Sequence, residues 1–330
     1  MKTLLTKLAL LLVPFGVVAV VAVARVEHSD ALREAVYNAE LEGKIQALLT
    51  ADTDVIVAGD SRAERQIVPA VIEAQTGRKA VNLAVNAGDL VTVYNALKRH
   101  GVLSTDKALI LSVSIFQVND GDVLYISRAC VLNMTLQEKL VFHRRAVPAL
   151  LYNLVAWSFP SWGGEEPPAA GPGALDEQGF RGVNGTLDPK APMAVDLDPR
   201  TTNHPWYRNL SLHGARWRVF REALDRLAAS RLRIYLCLPP VSPAWRAYSA
   251  GSFIDRGELE FAGMLAAAAG GHPNVRFLDF YTAPDQRLGN ELYYDVQHVN
   301  RQGAAAFTGV LMERIGEELR AGRMTTETHR

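Results

Sequence analysis

The sequence has few cysteines and no excess of charge of either sign. Two Cys in 330 residues exclude a disulfide scaffold and a Cys-rich zinc module. The 35 Lys and Arg residues balance the 35 Asp and Glu residues, which argues against a nucleic-acid-binding chain, because such chains carry a basic excess. Charged residues make up only 21% and hydrophobic residues 48%, so a disordered chain is excluded. The length fits either two domains or one large α/β domain with insertions.

One long uncharged run lies near the start of the chain. It spans the 17 residues from Leu8 to Ala24 and follows Lys2 and Lys7. We predict a signal-anchor helix, which leaves the rest of the chain extracytoplasmic (periplasmic) and tied to the membrane, because the lysines precede the run. A signal peptide cleaved after Ala24, giving a secreted protein, is the alternative, since 22–24 has the small-x-small form of a cleavage site. A buried helix fits less well, because the run is apolar all round.

Downstream of this run, short apolar segments alternate with helical patterns. We divide the chain into an anchor or signal peptide at 1–27, a stalk or first packed helix at 28–52, and an α/β domain at 53–330 with an insertion at 121–213. Strands are predicted at Asp54–Ala58, Ala80–Val85, Ala108–Val113, Leu232–Leu238 and Val275–Phe280. Helices are predicted at Glu64–Gln75, Leu90–His100, Leu136–Trp157, Ala215–Ala229, Glu258–Ala269 and Arg301–Ala321. Continuous apolar strands between helices predict a parallel sheet covered on both faces.

Four short polar motifs follow predicted strands or precede the last helix. They centre on Ser61 in Gly-Asp-Ser-Arg, on Gly88, on Asn119, and on Asp295 and His298 in Asp-x-x-His. Each motif alone fits an ordinary turn or helix cap. Open α/β sheets, however, place their sites at the carboxyl ends of the strands. Together the motifs supply a hydroxyl nucleophile, a base, a carboxylate that orients the base, and oxyanion donors.

In this order the motifs resemble the blocks of the SGNH (GDSL-type) hydrolase superfamily. The resemblance covers about residues 53–121 and 232–320, and leaves out the N-terminal segment and the insertion. It implies a three-layer α/β/α sandwich with a five-stranded parallel, flavodoxin-like sheet. No metal and no organic cofactor are implied.

The resemblance also implies a role for each motif residue. Ser61 is the expected nucleophile, His298 the base and Asp295 its orienting partner. The backbone N–H of Ser61, Gly88 and the amide of Asn119 are the expected oxyanion hole.

Two departures from the family pattern bear on these roles. The third block reads Gln-Val-Asn where many members have Gly-x-Asn, which weakens the assignment of Asn119. Arg62 follows the nucleophile in place of the usual residue. We consider two positions for its side chain, against an anionic group of the substrate or in solvent at the first helical turn.

The expected activity is that of a serine esterase or O-acyltransferase. The predicted location outside the cytoplasm is similar to that of membrane-anchored envelope polysaccharide O-acyltransferases. This similarity implies O-acyl esters of a glycan, above all O-acetyl esters, as substrate and a multispanning membrane O-acyltransferase as partner. Aromatic residues of the insertion either stack on sugars or pack in the core: Trp157, Trp162, Trp206 and Tyr207. A secreted lipolytic esterase and a non-catalytic scaffold in an envelope polymer complex remain as alternatives.

The remaining histidines and cysteines do not point to a metal site. His143, His204 and His213 lack the spacing of metal ligands. Cys130 and Cys237 can pair in an oxidising compartment or remain free and buried. Free thiols are favoured, because Cys237 falls within a predicted buried strand.

Overall fold

The sheet has five parallel strands in the order β2-β1-β3-β4-β5. The computed structural model describes residues 38–121, 128–139, 141, 175–188 and 190–322. The strands are β1 Val55–Ala58, β2 Ala80–Asn82, β3 Ala108–Ser112, β4 Arg233–Leu238 and β5 Val275–Asp279. The predicted α/β fold with a five-stranded parallel sheet is confirmed.

Helices connect and flank the strands. They are α1 at 38–48, α2 Ser61–Gln66, α3 Pro69–Thr76, α4 Leu90–Arg99, α5 Arg128–Leu132, α6 Ala215–Ala228, α7 Pro243–Ser249, α8 Phe253–Ala269 and α9 Arg301–Ala321. The helix predicted over Glu64–Gln75 is in fact two helices, α2 and α3. Val68 between them is extended, with φ −98° and ψ 109°, because the proline that follows disfavours a helical conformation at the preceding residue.

Both faces of the sheet are covered by apolar side chains. Successive residues of β1 point to opposite faces, so Ile56 and Ala58 belong to one buried cluster and Val55 and Val57 to the other. The first cluster includes residues of α4, α6 and α8, and the second includes residues of α3 and α9. Burial on both faces explains why these strands read as continuous apolar runs.

The described part of the segment at 28–52 is a packed helix and not a free stalk. Leu41 and Ile45 of α1 are 3% and 2% exposed and belong to the core. Lys44, between them, lies 3.0 Å from the buried carboxylate of Glu64 in α2. The predicted anchor or signal peptide at 1–27 lies outside the described residues. Within the described ranges, no helix combines the length and apolar character needed to cross a membrane.

The described parts of the insertion at 121–213 pack directly on the α/β domain. The backbone N–H of Arg181 donates to the carbonyl of Glu64 at 3.0 Å, and that of Leu187 donates to the carbonyl of Tyr293 at 2.7 Å. Of the helix predicted at Leu136–Trp157, residues 136–139 are helical, and most of the rest lies outside the described residues.

The two cysteines are free and buried. Cys130 belongs to the cluster on one face of the sheet and Cys237 to the cluster on the other. Burial raises the pKa of each thiol to about 12. The prediction of two free thiols is therefore confirmed, and the alternative of a disulfide is excluded by their placement.

Candidate active site

Ser61 lies where β1 turns sharply into α2. Gly59 adopts φ +127°, and a Cβ at this position would lie 2.4 Å from the carbonyl oxygen of Ser112. Only glycine accepts both this conformation and this close approach. Asp60 then caps α2 by accepting a hydrogen bond from the N–H of Arg62 at 3.0 Å. Ser61 becomes the first helical residue at the carboxyl end of β1, the usual place for a site in a parallel sheet.

The Arg62 side chain is buried beneath this turn. It is 1% exposed and donates to the hydroxyl of Ser114 at 2.6 and 3.0 Å and to the carbonyl of Val113 at 2.9 Å. The Ser114 hydroxyl in turn donates to the carboxylate of Asp60. This corrects both positions considered for Arg62, since the guanidinium neither reaches into solvent nor presents an open face for a substrate anion. Its contacts fix the two residues that flank Ser61.

Asp295 and His298 lie on the loop before α9. Asp295 Oδ1 accepts from the backbone N–H of Gln297 at 2.8 Å and from that of His298 at 2.7 Å. The same carboxylate lies 3.0 Å (Oδ1) and 2.8 Å (Oδ2) from Nδ1 of His298. The three-residue spacing thus closes a compact turn in which the carboxylate holds both the loop and the imidazole.

The structure brings Ser61, His298 and Asp295 together in one hydrogen-bonded chain. Ser61 Oγ lies 2.9 Å from Nε2 of His298. A carboxylate at Nδ1 requires a proton there, so the neutral ring presents the lone pair of Nε2 to the serine hydroxyl. Ser61 and His298 are 5% and 9% exposed, so most of the pair is removed from solvent and a small part remains accessible.

The charge of Asp295 is stabilised locally. Burial alone would raise the pKa of this carboxyl, but the adjacent His298 and two backbone N–H groups outweigh it and hold the pKa below its ordinary value. The side chain is nevertheless 41% exposed, so solvent screens part of this effect. The lowered pKa leaves the carboxyl of Asp295 ionised at neutral pH.

Neighbouring residues hold the imidazole in place. The ring of Tyr294 stacks on that of His298 with centroids 5.6 Å apart and planes 16° apart. The Tyr294 hydroxyl accepts from Arg65 of α2 at 2.8 Å. Gln66, at the end of α2, donates to the carbonyl of Gln297 at 2.7 Å. The helix that carries Ser61 therefore also supports the loop that carries His298.

Gly88 lies beside the serine turn, but its N–H is already engaged. That N–H donates to the carbonyl of Val85 at 3.0 Å within a tight turn. A Cβ on Gly88 would lie 2.3 Å from the carbonyl oxygen of Gly59. The glycine is therefore required for close packing of two loops, which corrects the expected role of its N–H as an oxyanion donor. Ala87 in the same turn has φ +53°, a strained value for a residue with a side chain.

The structure does not bring Asn119 to the oxyanion position. Both N–H groups of its amide are used, in donating to the carbonyls of Trp206 and Arg208 at 3.1 Å each. Its Oδ1 accepts from the N–H groups of Gly121 and Ser211 at 2.9 Å each. Asn119 is fully buried. This corrects its assignment as an oxyanion donor: it joins the loop after β3 to the end of the insertion.

The segment that this asparagine holds contains Trp206 and Tyr207, and of the two alternatives considered for them the structure shows packing; Trp157 and Trp162 lie outside the described residues. Tyr207 is fully buried; its hydroxyl donates to Glu258 at 2.7 Å and accepts from Gln297 at 3.5 Å. Trp206 packs its ring 5.0 Å from that of Phe116 and lies under the Arg62 guanidinium, 5.5 Å from it. These aromatic residues therefore pack against the site from the insertion side. No spacing in the sequence indicates this, because the contacts join segments far apart in the chain.

The described residues contain no group of three or more His, Cys, Asp or Glu side chains placed to hold a metal ion.

Comparisons with known proteins add little to this geometry. No protein-family model matches the chain, and no curated protein matches it. Among solved structures, it is similar to one described as "a putative platelet activating factor from Streptococcus pneumonia", with 12% sequence identity and a TM-score of 0.41. The similarity covers 91% of this chain and 99% of that one.

Proposed function

We propose that this chain is a serine esterase or O-acyltransferase of the SGNH type. The observation that supports the proposal most strongly is the chain of hydrogen bonds from Ser61 through His298 to Asp295. A nucleophile within reach of a base, with the base oriented by a third group, is the arrangement that acyl transfer requires. The parallel sheet, with Ser61 at the carboxyl end of its strand, agrees with the family resemblance.

In the first half of the reaction, Ser61 Oγ attacks the carbonyl carbon of an ester. The hydroxyl proton passes to Nε2 of His298, and Asp295 stabilises the resulting imidazolium through its hydrogen bond at Nδ1. As the tetrahedral intermediate collapses, the bond to the alcohol oxygen breaks and His298 protonates that oxygen. The alcohol leaves, and the acyl group remains on Ser61.

In the second half, a hydroxyl compound takes the acyl group from Ser61. His298 removes a proton from water in an esterase, or from the hydroxyl of an acceptor alcohol in a transferase. Ser61 is then released with its proton restored from His298. Both outcomes use the same residues, and they differ only in what occupies the acceptor position.

The oxyanion hole of this proposal is smaller than the family resemblance implies. The N–H of Ser61 has no acceptor among the described residues and is retained as a donor. Gly88 and Asn119 are not retained, because their N–H groups already have acceptors. Each preorganised donor lowers the barrier by about 3 kcal/mol.

We further propose that the substrates are O-acyl esters, above all O-acetyl esters, of an envelope or secreted polysaccharide. The support for this is the uncharged N-terminal run and the family resemblance. A multispanning membrane O-acyltransferase is the partner that fits a transferase. A lipolytic esterase would use the same triad on an apolar ester, whereas a non-catalytic scaffold would not need an aligned triad.

The experiment is labelling of the purified full chain with a fluorophosphonate probe, followed by assay on acetylated oligosaccharide and on a long-chain ester. We expect labelling that is lost in Ser61→Ala and strongly reduced in His298→Ala. Hydrolysis or transfer of the sugar acetate supports the proposed substrate, and preference for the long-chain ester supports the lipolytic alternative. If wild type and Ser61→Ala label equally, the proposal fails.

A further inference from the structure

Residues 202–208 of the insertion contact the residue that follows Ser61 and the residue that precedes His298. Trp206 packs under Arg62, the residue after the nucleophile. Tyr207 contacts Gln297, the residue before His298. The amide of Asn119 holds the carbonyls on either side of Tyr207. A side chain presented by this segment therefore has a fixed position relative to the triad.

His204 is such a side chain. Its ring packs against the rings of Tyr207, Trp206 and Trp245, with centroids 4.8, 5.7 and 5.9 Å away. Its Nδ1 accepts a hydrogen bond from the backbone N–H of Trp206 at 3.3 Å. Because that bond uses the lone pair of Nδ1, the neutral ring carries its proton on Nε2. The tautomer is therefore set by the backbone, and Nε2–H is a donor.

The ring remains neutral under ordinary conditions. Burial lowers the pKa of His204 to about 4, and the nearby carboxylate of Asp295 offsets this only in part. His204 is close enough to feel that carboxylate but is not bonded to it, since Asp295 is engaged by His298. No described residue accepts a hydrogen bond from Nε2 of His204, and the residue is partly exposed.

Tyr207, whose ring lies 4.8 Å from that of His204, contacts Gln297 beside His298, and this indicates which part of an ester lies near His204. His298 delivers its proton to the alcohol oxygen, so the alcohol portion lies on the side of the nucleophile where His298 and Asp295 are found. A neutral N–H donor beside the indole of Trp206 suits a polar, hydroxyl-bearing alcohol, because sugars offer both oxygen acceptors and C–H faces. An alkyl alcohol offers this donor no acceptor, so the hydrogen bond would add nothing to its binding.

We propose that His204 is a substrate-binding residue whose Nε2–H donates to an oxygen of the alcohol portion, or of the acceptor, in a sugar ester. This inference depends on the proposed function and extends it by naming the residue that recognises the sugar. Trp206 contributes the apolar surface beside that donor. Asn119 acts indirectly, as a positioning residue for the segment.

The test compares two acetate esters on the full chain: 4-nitrophenyl acetate, and an O-acetylated methyl glycoside. His204→Phe keeps a ring and removes the donor, while His204→Gln restores a donor in a similar place. We expect His204→Phe to lower kcat/KM about tenfold for the sugar ester, the usual effect of one lost hydrogen bond. We expect it to change kcat/KM less than about twofold for 4-nitrophenyl acetate, and His204→Gln to recover part of the loss. His272→Phe, which replaces an imidazole that is hydrogen-bonded to Asp225 outside this segment, is the matched control.

Fluorophosphonate labelling separates the failure of this inference from the failure of the proposed function. The probe reports on Ser61 and His298 without a sugar, so labelling of the wild-type chain tests the proposed function by itself. If wild type does not label, the proposed function fails and the inference fails with it. Only the inference is overturned if wild type is labelled and hydrolyses both esters, but His204→Phe leaves kcat/KM unchanged for both or lowers it equally for both.

Discussion

Replacing Asn119 distinguishes a structural role from a catalytic one. The side chain makes four hydrogen bonds, two to carbonyls at 3.1 Å and two from N–H groups at 2.9 Å, and it is 0% exposed. A buried hydrogen bond contributes about 1 kcal/mol net, so Asn119→Ala should lower the free energy of unfolding by about 4 kcal/mol. That is a large part of the roughly 5–15 kcal/mol typical of a domain.

The assay is urea unfolding combined with turnover of 4-nitrophenyl acetate per folded molecule. Asn203→Ala is the control: its amide also makes two backbone contacts, at 2.9 Å each, but it is exposed. We expect the free energy of unfolding of that variant to lie within about 0.5 kcal/mol of the wild-type value. The reasoning is refuted if Asn119→Ala unfolds like wild type while kcat falls about 10²–10³-fold, the effect of removing an oxyanion donor.

Three further predictions concern single side chains. Ala87→Gly should raise the free energy of unfolding by about 0.5–1 kcal/mol in urea, because relief of the positive φ outweighs the added freedom of the unfolded chain. Ala250→Gly, at a negative φ, should lower the free energy of unfolding. If Ala87→Gly and Ala250→Gly change it equally, Ala87 is not strained. Lys44→Met should lower the free energy of unfolding by about 3 kcal/mol, because the buried carboxylate of Glu64 loses its partner Lys44. Among the described residues outside α2, Arg181 is then the one that still pairs with Glu64. Lys79→Met breaks an exposed pair and should cost under about 1 kcal/mol. The pKa of Asp295 is lowered in the fold, so its stabilisation is present above about pH 3.9 and is lost as pH falls. The free energy of unfolding of Asp295→Asn should therefore fall less than that of wild type between neutral and acidic pH. An equal fall in both proteins would contradict this.

The strands and the motifs that carry Ser61, Asp295 and His298 could be predicted because their signals are local, whereas Ser61 and His298 are 237 residues apart and only the order of the motifs joined them. A run such as Val55–Ala58 is apolar at every position because both faces of the sheet are covered. Ser61 follows its strand directly. Asp295 and His298 are three residues apart, and one turn closes them together. Such features depend on neighbouring residues, which a single sequence displays.

The roles of Asn119 and Arg62 depend on partners distant in the chain. The amide of Asn119 donates hydrogen bonds to carbonyls 87 and 89 residues away. The buried guanidinium of Arg62 donates to a serine 52 residues away, a contact that the sequence around Arg62 does not display.

Strand β2 ends at Asn82 instead of Val85, although the backbone N–H groups of Leu83 and Val85 still donate to the carbonyls of Val57 and Gly59. The break between α2 and α3, in contrast, was visible in the sequence at Pro69 and was missed.

The central claim is that Ser61 carries the acyl group during the reaction. The direct measurement is rapid quenching of the full chain with 4-nitrophenyl acetate, followed by intact-mass and peptide analysis. We predict one acetyl group per molecule on the peptide that contains Ser61, forming in step with a burst of nitrophenol. Neither should appear in Ser61→Ala. A Ser61→Ala variant that hydrolyses the ester at the wild-type rate, or acetylation of wild type at another residue, would contradict the claim.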